Sequence, residues 1–436
     1  MTPHRVSRWF WQAFYAWLAL PLGLAALQLA ALRDPKLRET LRGRRGVWAR
    51  LEAQLAARDP ARPLVWFHVA SAGELLQALP VLERFLADGA QCALTVTSVS
   101  GHRWAEGRRA SLPGLIVADY LPADHRRNAR RMLALLRPAA LVHVKYDLWP
   151  NLVWEARRAG VPQFLVSATL HPRSRRVTGR LARAFYRALY PALDAVFAVS
   201  AGDRERFLHT APGHPAVEVL GDTRFDSVLQ RKKAIAPPPL PPYAGEGPVL
   251  VVGSSWPPDE TCIFPALKEA LRRHPRLRLI LVPHEIDEHH LSAIAAAFAG
   301  HPTLRFSAAA SSSSGQDWRV LLVDVMGLLS SLYAYATLAY VGGAFTTGVH
   351  NVMEPAVMGA PPIFGPFHQN APEAVEMVAR GCAFSVADGE GFRRVLTGLL
   401  EDLPRCRALG EEARAYVESR AGAAQAAFQR IRAAMA

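Results

Sequence analysis

Three turns in this chain hold residue types that could do chemistry. The first, Ser71-Ala-Gly-Glu74, follows the apolar run LVWFHVA (64–70) and opens the helical pattern LLQALPVLERFL. A carboxylate there serves as a general base if it reaches a hydroxyl and stays ionised, and the positive end of a helix favours ionisation. The same Ser-x-x-Glu spacing is that of a capping box, which only satisfies helix N-terminal N–H groups. Spacing alone leaves both readings open.

The second turn, Gly253-Ser-Ser-Trp-Pro-Pro-Asp259-Glu260, follows the strand-like VLVVGS. Small residues at a helix start leave N–H groups and hydroxyls free to meet a phosphate, although Ser255 is equally good as a plain N-cap. The G-x-x-x-x-G-K-[ST] pattern is missing, which argues against a nucleoside triphosphatase. The third stretch runs from Gly342 through His350, Asn351 and Glu354 to Gly365. Asn351 and Glu354 share one helix face, and an acidic side chain so placed can take both hydroxyls of a ribose; the alternative is a solvated helix start.

Two further clusters need weighing. His284-Glu-Ile-Asp-Glu-His289-His290 invites a zinc reading, but the H-E-x-x-H geometry needs histidines four apart and here they are five apart. No metal site is expected. Lys145-Tyr-Asp147 follows another apolar run and is either a site pair or a surface ion pair.

The elements that must position these turns are legible from residue 64 onward. Short β-rich runs at 64–70, 92–98, 140–145, 163–168 and 195–200 alternate with helical patterns, the mark of βαβ units and a parallel sheet. Proline density in IAPPPLPPYAGEGP favours a stiff connector. The alternation then restarts with runs at 249–254, 277–283, 320–324, 338–343 and 362–365. The spacing predicts an α/β fold of two Rossmann-like domains facing a cleft: an anchor and basic flank over 1–50, a first domain over 51–235, a linker over 236–247 and a second domain over 248–436. In such sheets ligands bind at the carboxyl ends of the strands. The serine run 311–314 reads as a surface loop.

Lysine plus arginine outnumber aspartate plus glutamate by 51 to 37, a net charge of +14 that implies an anionic partner. Nucleic acid, phosphorylated lipid and acidic membrane surface all qualify. The four cysteines are far apart and form no C-x-x-C pair, so neither a disulfide framework nor a zinc knuckle is expected. From Phe14 to Leu32 the chain is almost wholly apolar and close to the minimum length for a membrane span. No convincing cleavage site precedes Arg33, which argues against a signal peptide. Arg33, Lys36, Arg38, Arg42, Arg44, Arg45 and Arg50 follow, an excess that keeps the remainder cytoplasmic and can bind anionic headgroups. Pro21, Gly23 and Gln28 weaken the segment, so spanning and lying in the interface both remain open.

Taken in order, 71-SAGE-74, 145-KYDLWPN-151, Arg173-Ser174, 221-GDTRFD-226, 350-HNVMEP-355 and 364-FGP-366 resemble the motifs of the 3-deoxy-manno-octulosonic acid (Kdo) transferase family. Each is short; the ordered set covers nearly the whole chain. The resemblance implies a GT-B fold with an N-terminal membrane-anchor helix and an inverting transfer of Kdo from CMP-Kdo to the lipid A precursor (lipid IVA) in lipopolysaccharide biosynthesis. It implies Glu74 as general base, with Lys145 and Arg224 stabilising the transition state. CMP contacts carry over to Pro283 and His284, to Gly327, Leu328 and Leu329, and to Asn351, Val352, Met353 and Glu354, with Ser254 and Ser255 less firmly placed. No cofactor or metal is implied, because CMP leaves as a monophosphate and CMP-Kdo is itself the donor substrate. The implied partners are CMP-Kdo, the lipid A precursor and the anionic inner-membrane surface, with the catalytic domains on the cytoplasmic side. This chain departs from many members at Lys145, where glutamate is common, at His284, where arginine is, and at Gly-Leu-Leu, where Gly-Glu-Leu is. The alternatives are a UDP-sugar transferase or epimerase on the same fold and a nucleic-acid binder. The latter is disfavoured because the aromatics do not interleave with a basic stripe.

Overall fold

The computed structural model describes residues 3–212, 216–241, 247–311 and 318–435. Residues 242–246 of the expected linker and 312–314 of the serine run lie outside them. The chain divides into two compact units, Met1–Ser227 with Arg420–Ala436, and Val228–Ser419.

The first unit is built on a seven-stranded sheet: β1 (Leu64–Val69), β2 (Gln91–Val96), β3 (Leu115–Tyr120), β4 (Ala140–Val144), β5 (Gln163–Ala168), β6 (Ala195–Ala198) and β7 (Val217–Val219). Its order is β3-β2-β1-β4-β5-β6-β7 and every pairing is parallel. All six residues of β1 are buried, as expected where helices cover both faces of a parallel sheet and the strands read as continuous apolar runs. Chain order reverses between β1 and β4, so the crevice at their carboxyl ends is the place to look for a site.

The second unit repeats the plan with β8 (Val249–Ser255), β9 (Arg278–Pro283), β10 (Thr303–Arg305), β11 (Val320–Leu322), β12 (Leu338–Val341), β13 (Pro362–Phe364) and β14 (Phe384–Ser385). The order β10-β11-β9-β8-β12-β13-β14 is again wholly parallel, with its reversal between β8 and β12.

The division by contacts differs from the one read off the sequence. It falls inside the helix Thr223–Ala234, ahead of the proline-rich connector, and the last helix belongs to the first unit. Asp226 explains that return: its carboxylate accepts from the N–H groups of Gly422 (3.1 Å) and Ala424 (3.3 Å). Ala424, Ala427 and Ile431 then join the first unit's core, and Phe428 meets Phe85 edge-on at 4.8 Å. The connector itself lies on the second unit, where Tyr335 Oη donates to the Pro238 carbonyl (2.7 Å) and Trp318 Nε1 to that of Pro241 (3.1 Å).

At the N-terminus, helices Pro3–Phe14 and Leu20–Ala31 are joined through a π-helical turn, Tyr15–Ala19. Over Arg8–Ala31 this helix is long and apolar enough to cross a membrane.

Candidate active site

In the first unit the Ser-Ala-Gly-Glu turn leaves the carboxyl end of β1, beside the point where strand order reverses. Ser71 caps the helix Ala72–Ala87 by accepting from the Glu74 N–H at 3.4 Å. Glu74 Oε2 in turn accepts from the Ala70 N–H at 2.7 Å. Ser71 therefore caps the helix, while the Glu74 carboxylate reaches the N–H of Ala70, one residue ahead of the N-cap, rather than that of Ser71 as in a capping box; the two bonds fix a buried carboxylate at the mouth of the sheet. Burial holds the Glu74 carboxyl above its ordinary range, the Ala70 N–H opposes this, Asp147 adds to it, and Lys145 and His68 oppose it. A carboxylate with raised proton affinity is better matched to removing a hydroxyl proton near neutral pH.

Lys145 stands directly after β4 with φ of +64°, a left-handed conformation uncommon for a side chain of this size. Its N–H is nevertheless held by the Val166 carbonyl (2.8 Å). Asp147, two residues on, lies 3.1 Å from His68 Nε2 and accepts from Trp149 Nε1 at 3.3 Å. Burial pushes Asp147 up, but His68 and Trp149 outweigh it and leave the carboxyl below its usual range. Two neighbouring carboxyls are thus driven apart, Asp147 toward the anion and Glu74 toward the proton, the pattern expected of groups with different tasks.

His68 and His143 occupy facing positions of β1 and β4, both fully buried. His68 Nδ1 meets Thr95 Oγ1 at 2.9 Å, and His143 Nε2 meets Gln163 Oε1 at 3.3 Å. Burial lowers His143 to about 4. Neither histidine was singled out in the sequence, because a histidine inside an apolar strand run carries no local sign of its partner.

Arg224 lies in the Gly-Asp-Thr-Arg-Phe-Asp segment after β7, in the first turn of the helix Thr223–Ala234. Its Nε donates to Asp222 Oδ2 at 2.7 Å, and Gln77 of the Glu74 helix donates to the other oxygen at 3.0 Å. Thr223 locks the turn to β5, with its Oγ1 2.7 Å from Ser167 Oγ. Ser167 is also left-handed, with φ of +49°. Glu74, Lys145 and Arg224 therefore occupy carboxyl-end turns of one sheet. Beside them, a cavity of about 480 Å³ runs from Asp147 and Trp149 to Trp11, Phe14, Tyr15 and Phe185.

The second unit gathers the expected donor residues at the carboxyl ends of β11, β9, β8 and β12, which are adjacent in the sheet. Pro283 ends β9 in register with Ser255, and the His284 N–H is held by the Ser255 carbonyl at 2.9 Å. His284 stacks on Trp256 (4.2 Å) and on His350 (5.0 Å), while Trp256 Nε1 donates to His350 Nε2 at 3.1 Å. Burial and the neighbouring His284 hold His350 below its ordinary value. Ser254 is left-handed with φ of +54°. A Cβ on Gly342 would come within 2.2 Å of the Ser254 carbonyl, so only glycine fits there.

Asp259 holds the β8 and β12 turns together, accepting from Trp256 N (3.0 Å), Gly343 N (2.9 Å) and Tyr340 Oη (2.8 Å). The Gly327-Leu328-Leu329 turn follows β11, and Leu329 lies against Gly253 of β8. Glu354 accepts from Arg231 (2.7 Å) and Asn351 (3.1 Å), and Asn351 caps the N–H of Met353 (3.1 Å), leaving Val352 and Met353 buried. Of the tempting histidine cluster, His284 is in the aromatic stack, while His290 bonds Glu260 at 2.8 Å and Glu260 accepts from Ser255 at 2.8 Å. Arg231 was not legible as a site residue, because its partner Glu354 lies on another element; Asp259 and Glu260 stood in the second turn, but the bonds of Asp259 to Tyr340 and Gly343 and of Glu260 to His290 reach other elements and left no local sign.

Two parallel doubly wound sheets define a GT-B-type α/β fold, and solved structures agree on it. Acinetobacter baumannii MurG superposes with a TM-score of 0.53 at 16% identity, covering 85% of this chain and 99% of that one. UDP-GlcNAc 2-epimerase from Neisseria meningitidis, bound to UDP-GlcNAc, gives 0.57 at 14% identity, covering 80% and 94%. Residues 40–227 match the family described as 3-deoxy-D-manno-octulosonic-acid transferase (kdotransferase). A 3-deoxy-D-manno-octulosonic acid transferase of Bordetella pertussis is 33% identical over 84% of this chain and 87% of its own length. Another, from Haemophilus influenzae, is 22% identical over 95% and 96%. The chain belongs to the Kdo transferase family.

Proposed function

We propose that this enzyme transfers Kdo from CMP-Kdo to a hydroxyl of the lipid A precursor, lipid IVA, in lipopolysaccharide biosynthesis, with inversion and without a metal. Glu74 removes the proton of the attacking hydroxyl as the bond from the anomeric carbon to the CMP phosphate breaks. Lys145 and Arg224 stabilise the oxocarbenium-like state and the departing phosphate. The observation that carries this reading is the placement of Glu74: buried, fixed by Ser71 and Ala70, and held above its ordinary range beside Lys145.

On the donor side, CMP is taken by Pro283, His284, the Gly327–Leu329 turn and Asn351–Glu354. The Trp256–His284–His350 stack supplies a flat surface, and Glu354 an oxygen acceptor for ribose. On the acceptor side, the cavity between Asp147 and Phe185 suits an acyl chain, and the arginines after the N-terminal helix suit phosphates. The protein then works at the inner membrane, on its cytoplasmic side.

The test is transfer from CMP-Kdo generated in situ to a tetraacylated lipid A precursor, with products read by mass. Glu74→Gln should lower kcat by roughly 10²–10⁴ while leaving CMP binding intact, the range typical of a lost general base. Wild-type activity should survive EDTA. Use of a UDP-sugar with no transfer from CMP-Kdo would overturn the donor assignment.

A further inference from the structure

We infer that the N-terminal helix lies in the plane of one membrane leaflet, on the same side as the catalytic domains, and does not span the bilayer. This rests on the membrane association proposed above. Three observations within the first unit carry it.

The helix is tied to the body early. Trp11 meets Phe185 edge-on at 5.7 Å, Gln12 accepts from Arg158 at 2.5 Å and Tyr15 Oη donates to the buried Asp124 at 3.0 Å. It is tied again at its far end. Arg38 donates to the carbonyls of Ala31 (3.1 Å) and Leu32 (2.6 Å). Glu39 accepts from Arg103 of helix Val99–Arg109 at 2.5 Å, and Arg50, paired with Asp119, takes the Gly43 carbonyl at 2.8 Å.

Between Leu32 and Glu39 the chain, helical from Pro35, reaches only about 16 Å. A span would put Leu32 across a hydrocarbon core of about 30 Å. The return to Arg103 is too short for that.

The third observation is the covered stripe. Leu20 and Ala31 are buried, with Leu24 and Leu27 half-buried between them, so spacings of four, three and four mark one protein-facing side along the second half of the helix. Trp17, Leu18, Leu22 and Leu29 remain exposed on the rest of its surface. The π-helical turn at Tyr15–Ala19 adds a residue and rotates the second half, so that Leu20 and Ala31 continue the contact face begun by Trp11, Gln12 and Tyr15. A surface helix of about 36 Å with one side on protein and apolar side chains elsewhere fits an interfacial position in a leaflet. Arg8 at one end and Arg33 and Lys36 at the other then meet headgroups of the same leaflet.

The test uses the full chain carrying Arg8→Cys, expressed in bacterial cells and tagged with a sulfonated maleimide small enough to pass the outer-membrane pores but excluded by the inner membrane, the tags being counted by mass. The unsubstituted chain corrects for its own four cysteines, and a periplasmic protein with an exposed cysteine serves as labelling control. An in-plane helix leaves the variant with no added tag in intact cells and one added tag after lysis in denaturing detergent, with the protein in the membrane fraction. An added tag in intact cells, with the protein in the membrane fraction, would overturn the inference and leave the membrane reading standing. Recovery in the soluble fraction would overturn both.

Discussion

At the scale of single residues, Glu74 and Asp147 share one electrostatic neighbourhood, on which the proposed chemistry depends. Glu74 is raised chiefly by burial, further by Asp147, and held back by Ala70, Lys145 and His68. The proposed base acts in its ionised form, so activity should be lost as pH falls through this raised pKa. Lys145→Met removes a restraining charge and should move the acidic limb of the kcat profile to higher pH. Asp147→Asn removes a raising charge and should move it to lower pH. Shifts in the same direction, or an unmoved limb, would take Glu74 out of the role of base; the measurement is kcat against pH for the three proteins. Residue types and spacing made Glu74, Lys145 and Asp147 legible, since each follows an apolar strand run. The His68 contact with Asp147 was not, because it joins strand β1 to the turn after β4 and no local pattern reports such a pairing.

At the scale of elements, left-handed residues recur where parallel strands end: Lys145 after β4, Ser167 in β5 and Ser254 in β8. Such backbone costs of order 1–3 kcal/mol each and persists only where the surroundings hold it. In the second unit the restraint is visible, since the Ser254 carbonyl is pressed against Gly342 and Asp259 clamps the Gly343 N–H. Gly342→Ala should therefore destabilise the protein by about 1–3 kcal/mol, as overpacking of a tight contact does. Its KM for CMP-Kdo should rise more than its kcat falls. Denaturant titration checks the first and steady-state kinetics the second; a variant with unchanged stability would show that the turn gives way freely. Trp256→Ala tests the same region from the ring side: loss of the stack on His284 and of the bond to His350 should raise the donor KM about tenfold, since a stacked pair contributes roughly 0.5–1.5 kcal/mol and a neutral hydrogen bond a similar amount. Most strand runs were legible as β-rich apolar segments and the connector as a cluster of prolines, but the six-residue β3 was missed. Edge strands of two or three residues such as β7, β10 and β14 were not legible, because so short a run shows no periodicity.

At the scale of the whole molecule, the division into two units was legible from the restart of the strand–helix alternation, whereas the return of the last helix to the first unit was not. Its anchor is Asp226 taking the N–H groups of Gly422 and Ala424, nearly two hundred residues on, and a lone aspartate in a helix start does not announce so distant a partner. The net charge of +14 had several readings in the sequence. Exposed Arg33, Lys36 and Arg42 beside the apolar helix favour an anionic lipid surface over nucleic acid. Each basic residue near such a surface contributes about 1 kcal/mol, and the contribution falls off within a Debye length. Replacing all three with glutamine should therefore weaken binding of the full chain to phosphatidylglycerol vesicles by about a hundredfold at low salt. The loss should shrink as salt rises, because screening removes the same term from both proteins. On vesicles of neutral phosphatidylcholine the two proteins should bind alike through the apolar helix. Vesicle co-sedimentation across a salt series reads all three results. Equal loss on neutral vesicles would mean that the substitutions disturb the helix itself and that the three basic residues act through its seating on the protein.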